Sequence, residues 1–323
     1  MSFCTQHAAR IAGAMGTVVL ATTAGPGAAL ASTTAEALQT TRDTRKIIGG
    51  VLAAGALAGV VKNTLWRKPT EISSAVLDQI RQAFPGALPN QVLVEQVADL
   101  LENTHGFGST SLCATSLCCD EVSRPLELDF AQVYTDSFNM GGLAGFPFVG
   151  TVGFGAMASH IPDGGSCLIV YGPHVGVDST GAVGTTERRG RRSGGACCGS
   201  AIAAANYVAS VSKGEMAPRP YPPQEPIDAS QTFVQQMLLP HAERLEKAQS
   251  KMQELPYALY DAQKEMIEKI VADGCGAVSG NGKIAVLGGI QVNTPPGESD
   301  YYLPLSFDVY NNKGSKVDSL SLA

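Results

Sequence analysis

Three thiols, two carboxylates and a guanidinium fall within one short stretch of the chain, Leu112–Leu126. Its apolar start, Leu112–Leu117, is typical of a short buried strand. Ligand sites of α/β proteins form where strands end, because the loops there are free to carry chemistry. Cys118 and Asp120 place a soft thiolate and a hard carboxylate at such a point. Arg124 is expected to pair with Asp120 and to keep it ionised.

Two further groups stand at comparable points of the chain. Cys167–Tyr171 is a second apolar strand, and His174 follows its end. An Ala-rich helix is predicted over Ala196–Ser210, with two adjacent cysteines in its first turn, where the helix dipole lowers a thiol pKa. Two thiolates and an imidazole form a soft, tetrahedral zinc set that leaves one position for water: Cys118, His174 and Cys198. Zinc lowers the pKa of such a water to about 7.

The same residues allow other interpretations. The vicinal pairs Cys118–Cys119 and Cys197–Cys198 leave open which member of each pair is a ligand, and such pairs also occur as ordinary core residues. His160 is a rival ligand, although the turn sequence after it favours a surface position. Cys198 at a helix N-terminus can also serve as a nucleophile, with His174 as its base. The other cysteines are expected in the leader, the core or a loop: Cys4, Cys113, Cys167 and Cys275.

The composition excludes several classes of protein. Apolar residues make up 44% of the 323 residues and charged residues 16%, which predicts a large core and argues against global disorder. The net charge is −6 and the pI is near 5.4, which disfavours nucleic-acid binding. The eight cysteines lack the spacing of a small disulfide scaffold, so metal or redox chemistry in a reducing compartment is expected.

Residues 1–68 differ in composition from the rest of the chain. An apolar, Ala-rich stretch ends in the cleavage-like signature Ala29-Leu30-Ala31, and residues 32–46 are Thr-rich with basic residues. Ile47–Val61 is a second apolar run, but it is shorter than the roughly 20 residues of a membrane span. We predict a bipartite organelle-targeting leader, with a loosely structured extension as the alternative, and a single domain over residues 69–323. A stable membrane span is not expected.

Two helices are expected before the first strand. Apolar residues recur at helical spacing from Ile72 to Ala83, and a second helix is predicted from Asn90, which is a good N-cap. Residues 139–157 carry many glycines but no lysine typical of a phosphate-binding loop. This glycine-rich segment is predicted to bring its backbone close to its neighbours around a small pocket.

The C-terminal part combines helices and strands. Residues 228–272 are predicted to form one or two amphipathic helices that Pro240 and Pro256 kink or divide. Lys283–Gln291 and Tyr301–Val309 are expected to form a terminal strand hairpin. The order of these elements favours an α/β domain with a central, mostly parallel sheet flanked by helices.

Five motifs occur in order along the chain and carry a family resemblance. They are Phe84-Pro85-Gly86-Ala87, Cys118-x-Asp120-Glu121-x-x-Arg124-Pro125, Pro162-Asp163-Gly164-Gly165, Gly172-Pro173-His174-Val175-Gly176 and Cys198-Gly199-x-Ala201-Ile202. With these motifs the sequence resembles the low-CO2-inducible B/C family of algae, also called theta-class carbonic anhydrases. The resemblance extends from about Ile72 to Val309.

The resemblance implies a fold similar to that of β-carbonic anhydrases, a homodimer, and reversible hydration of carbon dioxide to bicarbonate. It implies Zn2+ held by Cys118, His174 and Cys198. Asp120 and Arg124 would be a gating pair, in which Asp120 either binds zinc or is held by Arg124. The spacing departs from the β-class pattern, in which the arginine follows two residues after the aspartate. Cys119 and Cys197 remain alternatives to their neighbours.

The resemblance also implies a place and an alternative role. Family members act in the carbon-concentrating system of plastids, so the chain is expected in the chloroplast, in the stroma or near the pyrenoid, with the thylakoid lumen as a further possibility. A fold does not guarantee turnover. A catalytically silent, zinc-containing scaffold of the same family is therefore the main alternative to an active enzyme, and cysteine-based redox or hydrolase chemistry is the second.

Overall fold

The structure, a computed structural model, describes residues 72–108, 110–134, 136–223 and 225–322. The predicted leader, residues 1–68, and the expected first residues of the domain lie outside the described residues. Within these ranges no helix is both long enough and apolar enough to cross a bilayer.

Helices and strands alternate through the first part of the described chain. The α-helices are α1 (Ser74–Ala83), α2 (Asn90–His105), α3 (Arg124–Tyr134), α4 (Gly150–Ala158), α5 (Gly199–Ser212), α6 (Ala229–Leu238), α7 (Ala242–Lys247) and α8 (Lys251–Gly274). The strands are β1 (Leu88–Pro89), β2 (Leu112–Ser116), β3 (Ser137–Asn139), β4 (Cys167–Tyr171), β5 (His174–Gly176), β6 (Thr185–Thr186), β7 (Gly195–Ala196), β8 (Lys283–Asn293), β9 (Tyr301–Asn311) and β10 (Lys316–Ser319).

One sheet of eight strands organises the domain. Its main order is β1-β9-β8-β4-β2-β3, with β5 paired to β8 and β10 paired to β9. The strands β3, β2, β4, β5 and β8 run parallel, whereas β1, β9 and β10 are added in antiparallel pairs. Strands β6 and β7 form a separate antiparallel pair. The predicted mostly parallel sheet and the hairpin of the two long C-terminal strands are both confirmed.

Both faces of the sheet are covered, as parallel sheets require. Every residue of β4 is buried. Cys167, Ile169 and Tyr171 belong to a core cluster that also contains residues of α1, α4 and α8. Because successive side chains of a strand alternate between faces, Leu168 and Val170 face the opposite side. Helices α2 and α3 contact the sheet at β9 and β2 respectively. The sheet therefore forms the middle layer of the domain.

The N-terminal helices confirm the sequence pattern with two local differences. Helix α1 buries Val76 and Ile80. Helix α2 starts at Asn90, but Pro89 is the residue before its first turn, and Asn90 is itself helical and buried. The prediction of Asn90 as N-cap was therefore wrong by one position. The adjacent cysteines were expected in the first turn of α5, but Cys198 is its N-cap residue.

The C-terminal helical region divides more often than the sequence pattern predicts. Three helices, α6, α7 and α8, occupy the region that was expected to contain one or two. Pro240 lies in a short 3-10 turn between α6 and α7, where it ends a helix as expected. Pro256 lies inside α8 and does not divide it. Pro256 is the sixth residue of α8, beyond the first four whose N–H groups lack helical partners, so the helix continues through it while the carbonyl of Met252 loses its usual N–H donor.

The glycine-rich segment packs its backbone against the ends of the central strands. A Cβ added to Gly141 would lie 2.2 Å from the carbonyl oxygen of Leu117, and one on Gly145 would lie 2.4 Å from that of Gly172. Gly145 also has a φ of +88°, a conformation that disfavours other residues. The predicted close backbone approach is confirmed, and it occurs beside the strand ends that precede Cys118 and His174.

We expect Gly145→Ala to destabilise the fold by roughly 2 kcal/mol or more, because the new Cβ collides with a backbone oxygen at an unfavourable φ. Gly155 in α4 is the matched control, since a Cβ there meets nothing within 4 Å. Gly155→Ala should leave stability unchanged or raise it by up to about 1 kcal/mol. Urea unfolding measures both changes, and equal midpoints for the two variants would contradict the steric argument.

Candidate metal centre

Backbone pairing brings two of the predicted ligands to the same edge of the sheet. Ser116, the last residue of β2, lies opposite Tyr171, the last residue of β4. Cys118 follows the first strand end by two residues, and His174 follows the second by three. Because the two strands are parallel, both side chains emerge at their carboxyl ends.

Backbone hydrogen bonds hold both vicinal cysteine pairs in place. The amide of Cys119 donates to the carbonyl of Gly142 over 3.2 Å. The amide of Cys197 donates to Gly184 over 3.0 Å, and its carbonyl accepts from Gly176 over 3.2 Å. These bonds hold the segment that presents Cys198 at the start of α5.

The three predicted ligands meet in a buried cluster. Potential ligand atoms of Cys118, His174 and Cys198 all lie within 4.8 Å of one another, and each residue is buried. The two sulfur atoms are 3.7 Å apart. Two sulfurs bound to one tetrahedral zinc ion at about 2.3 Å would be separated by about 3.8 Å. The thiol spacing therefore fits a zinc ion without rearrangement.

The imidazole of His174 is oriented as a metal ligand. Its Nδ1 lies 2.8 Å from Oδ1 of Asn293, and an amide oxygen can only accept, so Nδ1 carries the proton. Nε2 is buried and has no hydrogen-bond partner among the described residues. A buried nitrogen without a partner is costly unless a ligand occupies its lone pair. The geometry thus leaves Nε2 as the free donor atom.

The thiols of Cys118 and Cys198 form a hydrogen-bonded pair. The hydrogen bond to Cys198, followed by burial, raises the pKa of Cys118 to about 12. The same hydrogen bond lowers the pKa of Cys198. Burial acts to lower the pKa of His174, but the thiol groups of Cys118 and Cys197 raise it well above its usual value. The two sulfurs are therefore joined by a hydrogen bond, whose place a cation can take.

The neighbouring cysteines do not join the cluster. Cys119 is exposed, and only its partner in the pair lies with the candidate ligands. Cys197 is buried, but its sulfur lies 3.4 Å from Nδ1 of His174, on the side that faces Asn293. The structure thus favours Cys118 and Cys198 within the two vicinal pairs. His160, the rival ligand, is exposed and packs edge-on against the ring of Phe138.

Asp120 is held by a different arginine from the one expected. Its Oδ2 lies 2.9 Å from Nη2 of Arg188, and its Oδ1 accepts from the amide of Val122 over 3.3 Å. Arg124 instead pairs with Glu127, one turn along α3. A 3-10 turn over Glu121–Ser123 separates Asp120 from α3, so the Arg124 side chain follows its own helix. The expected Asp120–Arg124 ion pair is therefore not formed.

The Arg188 pair is shielded, whereas the Arg124 side chain is half exposed. Side-chain exposure is 19% for Arg188 and 16% for Asp120, against 51% for Arg124. Although burial acts to raise the pKa of Asp120, hydrogen bonds and the charges of His174 and Arg188 lower it below its usual value. Arg188 lies in the loop between β6 and β7, and its Nη1 donates to the carbonyl of Ala196. The sequence marks segment 187–192 only as an arginine-rich loop, without indicating a partner for Arg188.

An apolar cavity adjoins the cluster. It is bounded on one side by His174 and Cys198 and otherwise mainly by side chains of α5 and α8. Its lining consists of His174, Val175, Gly184, Cys197, Cys198, Ala201, Ile202, Met252, Leu255, Pro256 and Leu259. The candidate ligands therefore border an apolar surface.

A buried carboxylate lies behind Asn293. Asp300, in the loop between β8 and β9, accepts from the amide of Thr294 over 2.8 Å and from its hydroxyl over 3.2 Å. Burial raises the pKa of Asp300 to about 6, against the opposing effect of these hydrogen bonds.

Comparison with known proteins gives one family. A family model described as limiting CO2-inducible proteins B/C, β-carbonic anhydrases, matches residues 87–311. The crystal structure of PtLCIB4, a homolog of the limiting CO2-inducible protein LCIB, is 47% identical with a TM-score of 0.71, and the match covers 76% of this chain and 100% of that one. No curated protein matches the chain.

A more distant solved structure shows the fold alone. The crystal structure of LCIB is 22% identical with a TM-score of 0.58, and the match covers 74% of this chain and 96% of that one. The predicted α/β architecture is confirmed by these structures.

We expect the raised pKa of Asp300 to appear in the pH dependence of stability. The folded state binds this proton more tightly than the unfolded state, so the stabilisation is present below pH ~4 and is lost as the pH rises through about 6. The loss should amount to about 3 kcal/mol, from about two pKa units. Urea unfolding of metal-stripped protein at pH 4 to 7 should show this loss relative to Asp300→Asn. Parallel curves for the two proteins would contradict the shift.

Proposed function

Because the chain belongs to the family of limiting CO2-inducible proteins B/C, which is described as one of β-carbonic anhydrases, we propose that it catalyses the zinc-dependent, reversible hydration of carbon dioxide to bicarbonate. The observation that carries this proposal is the buried cluster of Cys118, His174 and Cys198, with its sulfurs 3.7 Å apart and an imidazole nitrogen without a hydrogen-bond partner among the described residues. Catalytic zinc sites keep three protein ligands and one open position.

The donor set fits zinc better than a hard cation. Thiolate sulfur and imidazole nitrogen prefer zinc over magnesium or calcium, which take oxygen ligands. Cys118 and Cys198 would bind through sulfur and His174 through Nε2. A zinc ion held in this way supplies a hydroxide nucleophile near neutral pH.

The chain's own residues provide a place for the carbon substrate. Carbon dioxide has no net dipole and no hydrogen-bond donor, so it gains from an apolar surface rather than from polar groups. The cavity beside Cys198 offers such a surface through Ala201, Ile202 and Leu259. Bicarbonate is charged and loses solvation there, which favours release of the product in the hydration direction.

Asp120 would accept hydrogen bonds at the reaction centre while Arg188 controls its position. The guanidinium holds one carboxylate oxygen, and the amide of Val122 holds the other. This pairing keeps the carboxylate ionised and limits its approach to the ligand cluster. We propose Arg188 for the gating role that the family resemblance implies for Arg124. Arg124 would have to leave Glu127 to take that role.

Assembly and location rest on the resemblance and on composition. We propose a homodimer in the chloroplast, in the stroma or near the pyrenoid, that contributes to a carbon-concentrating system. The composition of residues 1–68 supports plastid targeting.

We expect the full-length protein to carry about one zinc ion per subunit, measured by elemental analysis, and to hydrate carbon dioxide in stopped-flow assays. Cys118→Ser, His174→Ala and Cys198→Ser should each lose the metal and the activity, because two remaining ligands bind zinc poorly. Cys119→Ser and Cys197→Ser are the matched controls and should retain the metal.

The controls also separate the alternatives. Loss of metal in Cys119→Ser with retention in Cys118→Ser would overturn the ligand assignment. A folded, zinc-loaded protein without hydration activity would favour a silent scaffold. A metal-free protein whose Cys198 is alkylated rapidly would favour cysteine-based redox or hydrolase chemistry.

Arg188→Ala should keep its zinc but lower kcat/KM for hydration by about 100-fold, because Asp120 loses its shielded cationic partner. Arg124→Ala and Arg189→Ala should stay within about threefold of the unmodified protein, since their side chains are more exposed and neither contacts Asp120. Normal turnover in Arg188→Ala together with a large loss in Arg124→Ala would restore Arg124 as the gating partner.

A further inference from the structure

We propose that Asn293 is a positioning residue that joins the metal ligand His174 to the turn that carries Asp120, so that metal affinity and the position of Asp120 depend on one amide. This inference rests on the proposed function, because it gives Asn293 a role toward the metal. It adds a residue from the C-terminal half of the sheet, more than 90 positions from each of the three ligands.

The sheet register places Asn293 beside the ligand. Asn293 is the last residue of β8 and lies opposite Gly176 of β5, while His174 lies opposite Gln291. Asn293 is 1% exposed, so its amide must find partners within the protein. The main chain of β8 thus fixes the distance between this amide and the imidazole.

The partners of Asn293 determine which way its amide points. Its Nδ2 donates to the carbonyl of Val122 over 2.8 Å. A carbonyl is an acceptor only, so the nitrogen must face it. The oxygen must then face His174, 2.8 Å from Nδ1. The contact on the far side therefore fixes the tautomer of the imidazole.

The same amide reaches Asp120 through one residue. Val122 accepts from Asn293 with its carbonyl and donates with its amide to Oδ1 of Asp120 over 3.3 Å. Hydrogen bonds thus link His174 to Asn293 and Asn293 to Val122, and the backbone of Val122 connects them to its hydrogen bond with Asp120. Ligand residues that are fixed in this way bind metals more tightly than residues that must be ordered during binding.

Gln291 provides a matched control on the same strand. Its Nε2 approaches the carbonyls of Val122 and Ser123, at 3.4 and 3.5 Å, but none of its hydrogen bonds reaches His174. A substitution of Gln291 therefore removes contacts to the turn that follows Asp120, while Asn293 remains as the hydrogen-bond partner of the His174 imidazole.

The first experiment measures zinc affinity of the full-length protein by competition with a chromogenic chelator. Asn293→Leu, of similar size, and Asn293→Ser, which leaves room for water, should each weaken zinc binding by about 10- to 100-fold. Gln291→Met should stay within about threefold. Circular dichroism checks that each variant is folded. If Asn293→Leu does not fold, Asn293→Ser alone provides the test. Unchanged affinity in a folded Asn293 variant would overturn the inference.

The second experiment reports directly on the imidazole. With 15N-labelled histidine and Cd2+ in place of zinc, the Nδ1 proton of His174 should be protected from exchange in the unmodified protein and in Gln291→Met. This proton should exchange rapidly in the Asn293 variants. A loss of stability in another part of the domain would not cause this local change. A protected proton in those variants would overturn the inference.

The third experiment tests the link to Asp120 by a double-mutant cycle. Zinc affinity is measured for Asp120→Ala, for Asn293→Ser and for the combined variant. The combined change should differ from the product of the single changes by more than about threefold. If the two substitutions change zinc affinity independently, Asn293 and Asp120 are not coupled. If the unmodified protein binds no zinc, the proposed function fails, which is distinguishable from failure of the role of Asn293.

Discussion

The register of the parallel strands is the constraint on which the candidate site depends. Ser116 and Tyr171 are paired at the ends of β2 and β4, and Tyr171 in turn lies opposite Gly288 of β8. Because a shift of one residue moves every side chain to the other face of a sheet, this register decides which thiol and which imidazole enter the cluster. The pairing of β5 with β8 then sets the position of the amide behind His174.

Burial makes the chemistry of the cluster selective. Two thiols, an imidazole and an amide lie where water has little access, and each polar atom there must find a partner or remain costly. The thiols are hydrogen-bonded to each other, and the amide of Asn293 has an acceptor, which leaves Nε2 of His174 without a hydrogen-bond partner among the described residues. A cation between the sulfurs and this nitrogen removes the mismatch, whereas a hydrogen-bond donor would satisfy only one atom.

The sequence predicts those parts of the site that lie next to strong local patterns. Cys118 and His174 follow buried strands, and Cys198 begins a helix, so strand and helix periodicity was sufficient to find them. Arg188 and Asn293 were missed, because their contacts with Asp120 and His174 join elements that are 68 and 119 residues apart. Such contacts depend on the register of β6 with β7 and of β5 with β8, which no local pattern specifies. The N-cap of α2 is one residue earlier than predicted and α5 starts three residues later than predicted, because caps depend on the preceding loop.

The arrangement behind His174 also has an electrostatic reason. Metal-bound histidines often donate to a carboxylate, which raises the basicity of the ligand. Here the site already contains two sulfurs that become negative when they bind a cation, and a third negative charge at Nδ1 would repel both in a medium of low dielectric constant. An amide accepts the same hydrogen bond without a charge. The neutral Asn293 thus orients His174 without adding a charge, so that a divalent cation bound by two thiolates would leave the summed charge near zero.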